Sequence, residues 1–151
     1  MTLMTGDDAL LGLARAVVGI STRAADELGR VSIVQLRALT ILLEMDGANL
    51  AQLAEGMGVT VSTTSRLVDR LVAAGMVDRR RAEHSRREIA LTLTPAGRAT
   101  LDRYDELRLD GLHAVLDGLP EAERGQVVGA FALFAAAAHE STRLPATAGQ
   151  Q

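Results

Sequence analysis

NLAQLAEGMGVTVSTTSRLVDRLVAAGMVDRRRAEHSRR, residues 49–87, is the stretch whose reading decides the fold. Leu50, Leu53, Ala54 and Met57 share one helical face, and Asn49 with Gln52 three residues later has the form of a capping box. A short helix is therefore expected after Asn49. Gly58 follows the last apolar residue, where a left-handed backbone costs little, and Thr60 is placed to cap a second helix by accepting a backbone N–H. Ala54 is small enough to let the second helix cross closely, and Leu53, Met57, Val59 and Leu67 are expected to fill the junction.

In the second helix Val61, Leu67, Val68, Leu71 and Val72 supply an apolar face with Thr64 on its edge. Ser62, Thr63, Ser65, Arg66, Asp69 and Arg70 lie mainly on the other side. Small hydroxyl side chains near a helix N-terminus let the backbone approach a DNA major groove, and an arginine there suits a bidentate contact to guanine, which makes Arg66 the base-reading candidate. Alone, the same pattern also describes an ordinary amphipathic surface helix with solvated charges. The next segment of the chain favours DNA. Gly75 ends the helix, and VDRRR (Val77–Arg81) and EIALTL (Glu88–Leu93) flank the polar turn AEHSRR as two strands of a hairpin. Ile89, Leu91 and Leu93 alternate with Glu88, Ala90 and Thr92, so one strand face is expected to pack on the helices. Arg79, Arg80, Arg81, Arg86 and Arg87 are left for solvent or phosphate, and a hairpin directly after a helix-turn-helix has a geometric reason to touch a DNA backbone or minor groove. The candidate DNA-binding set is Thr60, Ser62, Thr63, Ser65, Arg66, Arg70, Arg80, Arg86 and Arg87.

The segments LAEGMGV, TTSRLVDRLVAAGMVDR and SRREIALTLTPAGR resemble the helix, the recognition helix, and the wing with its following helix of the MarR family of winged helix-turn-helix transcription regulators. The resemblance covers nearly the whole chain. It implies a mainly α fold with a small β-hairpin wing (α+β), and a sequence-specific regulator of transcription that binds double-stranded DNA. It also implies dimerisation through both termini, repression rather than activation, and a pocket for a small phenolic or aromatic effector between the dimerisation helices and the winged region. One position departs. The family's wing pattern reads Asp-x-Arg, five residues, then Leu-Thr; Ser85 stands at the Asp position, while Arg87, Leu93 and Thr94 match. Glu83 and Glu88 are the carboxylates left nearby for Arg87.

A chain of 151 residues with 48% hydrophobic composition suits one domain or one intertwined subunit. No apolar run approaches the length of a membrane span, and the first residues carry acids where a signal peptide carries bases, so a cytoplasmic protein is expected. Without cysteine there is no disulfide, thiolate metal site or thiol redox sensor. The net charge of −3 suits a DNA binder poorly until it is divided along the chain. Thr60–Arg98 holds eight arginines against four acids, and the rest holds eight against fifteen, so the positive charge is local. Such polarity orients an encounter with phosphate. All sixteen basic residues are arginine, a bias without an assigned mechanism.

Taken in order, Asp7 and Asp8 suit the first turn of a helix running to about Leu28, with a stripe of Leu10, Leu13, Ala14, Val17, Val18, Ser21, Ala24, Ala25 and Leu28. Gly29 breaks it. Ser32 is placed to cap a second helix whose Ile33, Leu36, Leu39, Thr40, Leu42 and Leu43 face the core and which ends before Gly47. Thr94-Pro95 is a helix start, and Leu101, Tyr104, Arg108, Leu112, Val115 and Leu119 give that helix a span of Pro95 to Asp117. Pro120, Glu121 and Glu123 open a last helix carrying Val127, Val128, Ala130, Phe131, Leu133, Phe134, Ala137 and Ala138, too apolar for a solvated surface. A homodimer joined by the terminal helices covers it most economically, and a monomeric six-helix bundle is the alternative. A symmetric dimer then reads a pseudo-palindromic operator with half-sites about 10 bp apart or a near multiple. The expected organisation is a single subunit over 1–143, with the winged helix-turn-helix at about 32–94, dimerisation helices at about 7–28 and 95–143, and a disordered tail over 144–151.

His84, His113 and His139 stand far apart without a second ligand at metal spacing, so no zinc site is expected. Ser85, Asp110 and His113 lack a nucleophile elbow, phosphate loop or paired-carboxylate motif around them, so neither an enzyme nor a cofactor is expected. Arg15, Arg23, Arg37 and Tyr104 could anchor an anionic effector, but each reads equally as an exposed charge or a packed phenol, and no pocket is assigned. The rival to a DNA reader is a winged-helix protein-interaction module docking through its apolar last helix. That module has no need of Ser62, Thr63 and Arg66 above an arginine-rich wing.

Overall fold

The computed structural model describes residues 4–143, so the expected tail at 144–151 lies outside the described residues. Six helices and one hairpin follow in order: α1 (Gly6–Leu28), α2 (Ile33–Glu44), α3 (Leu50–Met57), α4 (Val61–Ala73), β1 (Val77–Ala82), β2 (Ser85–Leu93), α5 (Pro95–Asp117) and α6 (Glu121–Arg143). The chain divides into two compact units, one ending at Asp110 and one beginning at Gly111. No described helix is long and apolar enough to cross a membrane.

In the first unit the helix starts follow from local hydrogen bonding. Ser32 with Gln35 and Asn49 with Gln52 form reciprocal capping boxes, each satisfying two backbone donors at a helix entrance. Thr5 with Asp8 does the same for α1, so Asp8 serves as a capping partner as well as a favourable charge. Gly58 closes α3 at φ +68°, a left-handed conformation in which a side chain would be strained, and its N–H bonds back to the end of α3. The core is built from Leu36, Leu39 and Leu42 of α2, Leu53 of α3, Val68 and Leu71 of α4, Val77 and Leu91 of the hairpin, and Leu101 and Tyr104 of α5. Each large apolar side chain so buried contributes about 1.5–3 kcal/mol against exposure.

Two positions of α2 expected to face the core are instead exposed. Ile33 and Leu43 of α2 face solvent, because its buried face is the narrower one marked by Leu36, Ala38, Leu39 and Leu42. Only the C-terminal half of α1 is buried, at Ile20, Ser21, Ala24 and Ala25, while Leu10, Leu11 and Val18 are exposed. On α5, burial stops at Tyr104, and Val115 is exposed.

The hairpin pairs antiparallel from Val77 opposite Leu93 to Arg81 opposite Ile89, with an irregularity between Arg81 and Ala82. Its strands run farther than the apolar alternation indicated: β2 begins at Ser85, so Arg86 and Arg87 belong to the strand, and only Glu83 and His84 form the tip. Backbone pairing needs no apolar side chains, which is why the polar end carried no periodic signal. Burial at the base does not follow the simple alternation. Ala90 and Leu91 are both buried, whereas Ile89, one step farther out, is 44% exposed. A main-chain bond from Leu91 N–H to the Ala48 carbonyl (2.8 Å) ties this base to the α2–α3 loop.

One buried polar atom here is unpaired, the hydroxyl oxygen of Thr92, opposite Asp78. A desolvated hydroxyl with no partner costs stability that an apolar group of similar shape does not. Thr92→Val is therefore expected to raise unfolding stability by about 1 kcal/mol. The urea midpoint checks it, and a lower midpoint would show that the hydroxyl is satisfied.

The second unit holds the end of α5 and all of α6. Arg124 folds back over the connecting turn, donating from Nε to the Leu119 carbonyl (3.0 Å) and from a terminal nitrogen to the Asp117 carbonyl (3.1 Å). These bonds satisfy orphan carbonyls at the α5 terminus. Val128, Phe131, Leu133 and Phe134 are exposed on α6.

Candidate nucleic-acid interface

The outer face of α4 begins with a cluster of hydroxyls. Thr60 accepts the Thr63 N–H at 3.2 Å, and its hydroxyl lies 3.0 Å from that of Thr63 and 3.3 Å from that of Ser62. Thr64, fully buried, returns its hydroxyl to the Thr60 carbonyl at 2.9 Å. Three residues of the first turn are thus held in fixed relation, with Ser62 and Thr63 outward. Arg66 and Arg70 are exposed on the following turns, and Ser65 is half-buried.

Two apolar residues join this surface that periodicity assigned to the interior. Val59 and Val61 are 43% and 50% exposed. Val61 shares a face with Thr64 and Val68, but it precedes the part of α4 that the core covers. Helical spacing assigns a face and not how far along that face the packing reaches.

In the hairpin, residues opposite one another share a face. Arg79 therefore shares one with Leu91, and Arg80 shares the other with Ala90. The five wing arginines are consequently not equivalent. Arg79 is ion-paired with Asp69 of α4. Arg80 meets Asp78 at 3.4 Å with both side chains well exposed, a contact weak enough for a phosphate to displace. Among the described residues no ion pair engages Arg66, Arg70, Arg81, Arg86 or Arg87. Successive residues of β2 alternate in direction, so Arg86 and Arg87 leave opposite faces of the wing.

The substitution at Ser85 has a definite local consequence. Ser85 Oγ accepts the backbone N–H of Arg87 at 3.2 Å, so the short side chain braces the strand rather than the guanidinium. Glu88 places Oε2 2.7 Å from His84 Nε2 across the tip. Neither Glu83 nor Glu88 is ion-paired with Arg87 among the described residues. No group of three or more His, Asp or Glu among those residues could hold a metal ion.

A helix-turn-helix whose second helix carries hydroxyls and free arginines outward, followed at once by an arginine-lined hairpin, defines a winged helix-turn-helix protein. The MarR family model matches residues 31–89. RV1404 from Mycobacterium tuberculosis is 35% identical, with a TM-score of 0.77 over 91% of this chain and 97% of that one. A mutant of Staphylococcus aureus MepR bound to an oligodeoxyribonucleotide is similar in fold, with a TM-score of 0.67 and 16% identity over 89% of this chain and 99% of that one. An uncharacterized HTH-type transcriptional regulator of Bacillus subtilis (strain 168), YhjH, is 26% identical over 91 residues, 58% of this chain and 52% of its own length. The match thus spans about half of that curated relative. The chain belongs to the MarR family.

Proposed function

We infer that the protein is a DNA-binding transcriptional regulator that works as a homodimer on a two-fold symmetric operator. The observation that carries this reading is the exposed face of α4, where Ser62, Thr63, Arg66 and Arg70 sit outward beside a wing bearing free arginines. Arg66 reads a base edge in the major groove, and the small hydroxyls permit the helix to approach closely. Val59 and Val61 supply apolar contact of the kind a thymine methyl accepts. Thr60, Ser65, Arg70 and Arg80 support the approach, and Arg86 and Arg87 neutralise phosphate or enter the minor groove. The similarity in fold to a MepR mutant bound to an oligodeoxyribonucleotide supports DNA as the partner.

Dimerisation follows from the exposed apolar residues of α1 and α6, which a second subunit covers. Residues 32–94 form the reading unit, while 7–28 and 95–143 form the pairing helices. Occupancy of an operator by such a dimer represses transcription, and release by a small phenolic or aromatic effector is the mode that family membership supports. Family membership supports the cytoplasm as the working compartment.

Reading and anchoring have different energetic signatures. Arg66→Ala is expected to lose about 1–3 kcal/mol on the selected operator and to flatten discrimination at one base position. Arg87→Ala is expected to weaken selected and scrambled duplexes alike and to lower the salt slope by about one unit. Ser85→Asp restores the carboxylate beside Arg87 and tests whether its absence sets the wing's affinity. Binding measured over a salt series on a duplex selected from a random library decides the matter. Unchanged binding by both arginine variants would remove α4 and the wing from the interface.

A further inference from the structure

The pair between Asp69 of α4 and Arg79 of β1 joins the recognition helix to the wing. An acidic residue on a surface meant for phosphate is unfavourable by simple charge. Asp69 also stands one turn after Arg66, which its carboxylate could neutralise from within the helix, and directly before Arg70, which as an adjacent residue points to a different side. It engages neither among the described residues; its carboxylate is taken by Arg79 from the hairpin. With side chains 41% and 62% exposed, the arginine and the aspartate contribute little to folding, so their value lies in geometry.

We propose that Asp69 and Arg79 form a positioning pair that sets the wing against the recognition helix and keeps Arg66 free to read a base; this rests on the DNA-binding reading above. Arg79 then acts on DNA through Asp69 and not through a phosphate, unlike Arg86 and Arg87. The register separates the two neighbours: Arg79 lies opposite Leu91 and Arg80 opposite Ala90, so they leave opposite faces of the wing, and it is Arg79 that meets α4.

The two accounts predict opposite signs. If charge alone matters, removing the acid with Asp69→Asn tightens binding to any duplex. If the pair positions the wing, Asp69→Asn weakens the selected duplex about tenfold while scarcely changing a scrambled one, and Arg79→Ala does the same. The double variant is then no weaker than either single one, and the swap Asp69→Arg with Arg79→Asp regains most of the loss. The salt slope of Arg79→Ala stays at the wild-type value, whereas a lost phosphate contact lowers it by about one unit. Full-length variants are measured on a duplex selected from a random library and on its scrambled counterpart, with melting temperatures recorded alongside. Tighter binding by Asp69→Asn, or a reduced slope for Arg79→Ala with no rescue by the swap, overturns the positioning role alone. A wild-type protein that does not discriminate between the two duplexes overturns both this role and the DNA-binding reading.

Discussion

Gly97→Ala is expected to destabilise the protein by about 3 kcal/mol and to lower its melting temperature by on the order of 10 °C. A Cβ at Gly97 would lie 2.2 Å from the Met76 carbonyl oxygen and 3.0 Å from its carbon, backbone atoms that cannot rotate away. The same carbonyl accepts the Thr94 N–H at 3.0 Å. Thr94 in turn donates its hydroxyl to the Gly75 carbonyl and accepts the Gly97 N–H at 3.0 Å. One extra methyl therefore has to separate the start of α5 from the strand entrance, stretching the bonds that hold both ends of the hairpin together. Gly125→Ala is the control, because nothing lies within 4 Å of a Cβ there and alanine is the better helix former. It is expected to be neutral or stabilising. Thermal and urea unfolding of the two variants checks the contrast, and a Gly97→Ala protein melting with the wild type would show that the junction yields easily.

The Gly97 contact also marks where reading a sequence stops. TLTPAG announces a helix start through Thr94 and Pro95, since capping is decided within three or four residues. That Gly97 must be glycine depends on Met76, twenty-one positions earlier, which only the folded chain brings near. The same division holds elsewhere. Asn49 with Gln52, Ser32, Thr60 and the turn at Gly58 were legible because each is a local hydrogen-bonding or backbone preference. The wing is legible as a hairpin, yet the apolar alternation covers only part of its strands, because arginines pair through their backbones as well as valines do.

For the candidate interface, residue types and helical faces placed Ser62, Thr63, Arg66 and Arg70 on the outside of α4, where they stand. The different roles of the wing arginines were not legible, since they follow from strand register and from the position of the hairpin over α4. Arg79 looks the same as Arg80 in sequence, and the structure separates them by their opposite residues, Leu91 and Ala90. Val61 is the converse case: its spacing belongs to the buried face, but the core does not extend as far as the first turn of α4.

Phe131→Arg combined with Phe134→Arg is expected to convert the protein from a dimer to a monomer at micromolar concentration and to abolish high-affinity binding to a two-fold operator. The two rings are 40% and 58% exposed in the subunit, Val128 is exposed on the same side of the helix, and α6 has no buried residue among those described. Full burial of a phenylalanine contributes about 1.5–3 kcal/mol; covering the half of each ring still exposed gains a corresponding part of that, and symmetry doubles the number of rings, so this face contributes to the driving force for pairing. Two arginines per subunit replace that gain with desolvation and like-charge repulsion across the axis. Loss of pairing then removes the second half-site contact, and single-site binding remains only at much higher protein concentration. Light scattering reports the mass, helical circular dichroism reports whether the variant is folded, and titration of a selected duplex reports the affinity. Phe134→Ala, which removes apolar area without adding charge, gives a milder shift of the dimer dissociation constant and separates interface loss from gross unfolding. A wild-type protein that remains a well-folded monomer at micromolar concentration would rule out the paired reader.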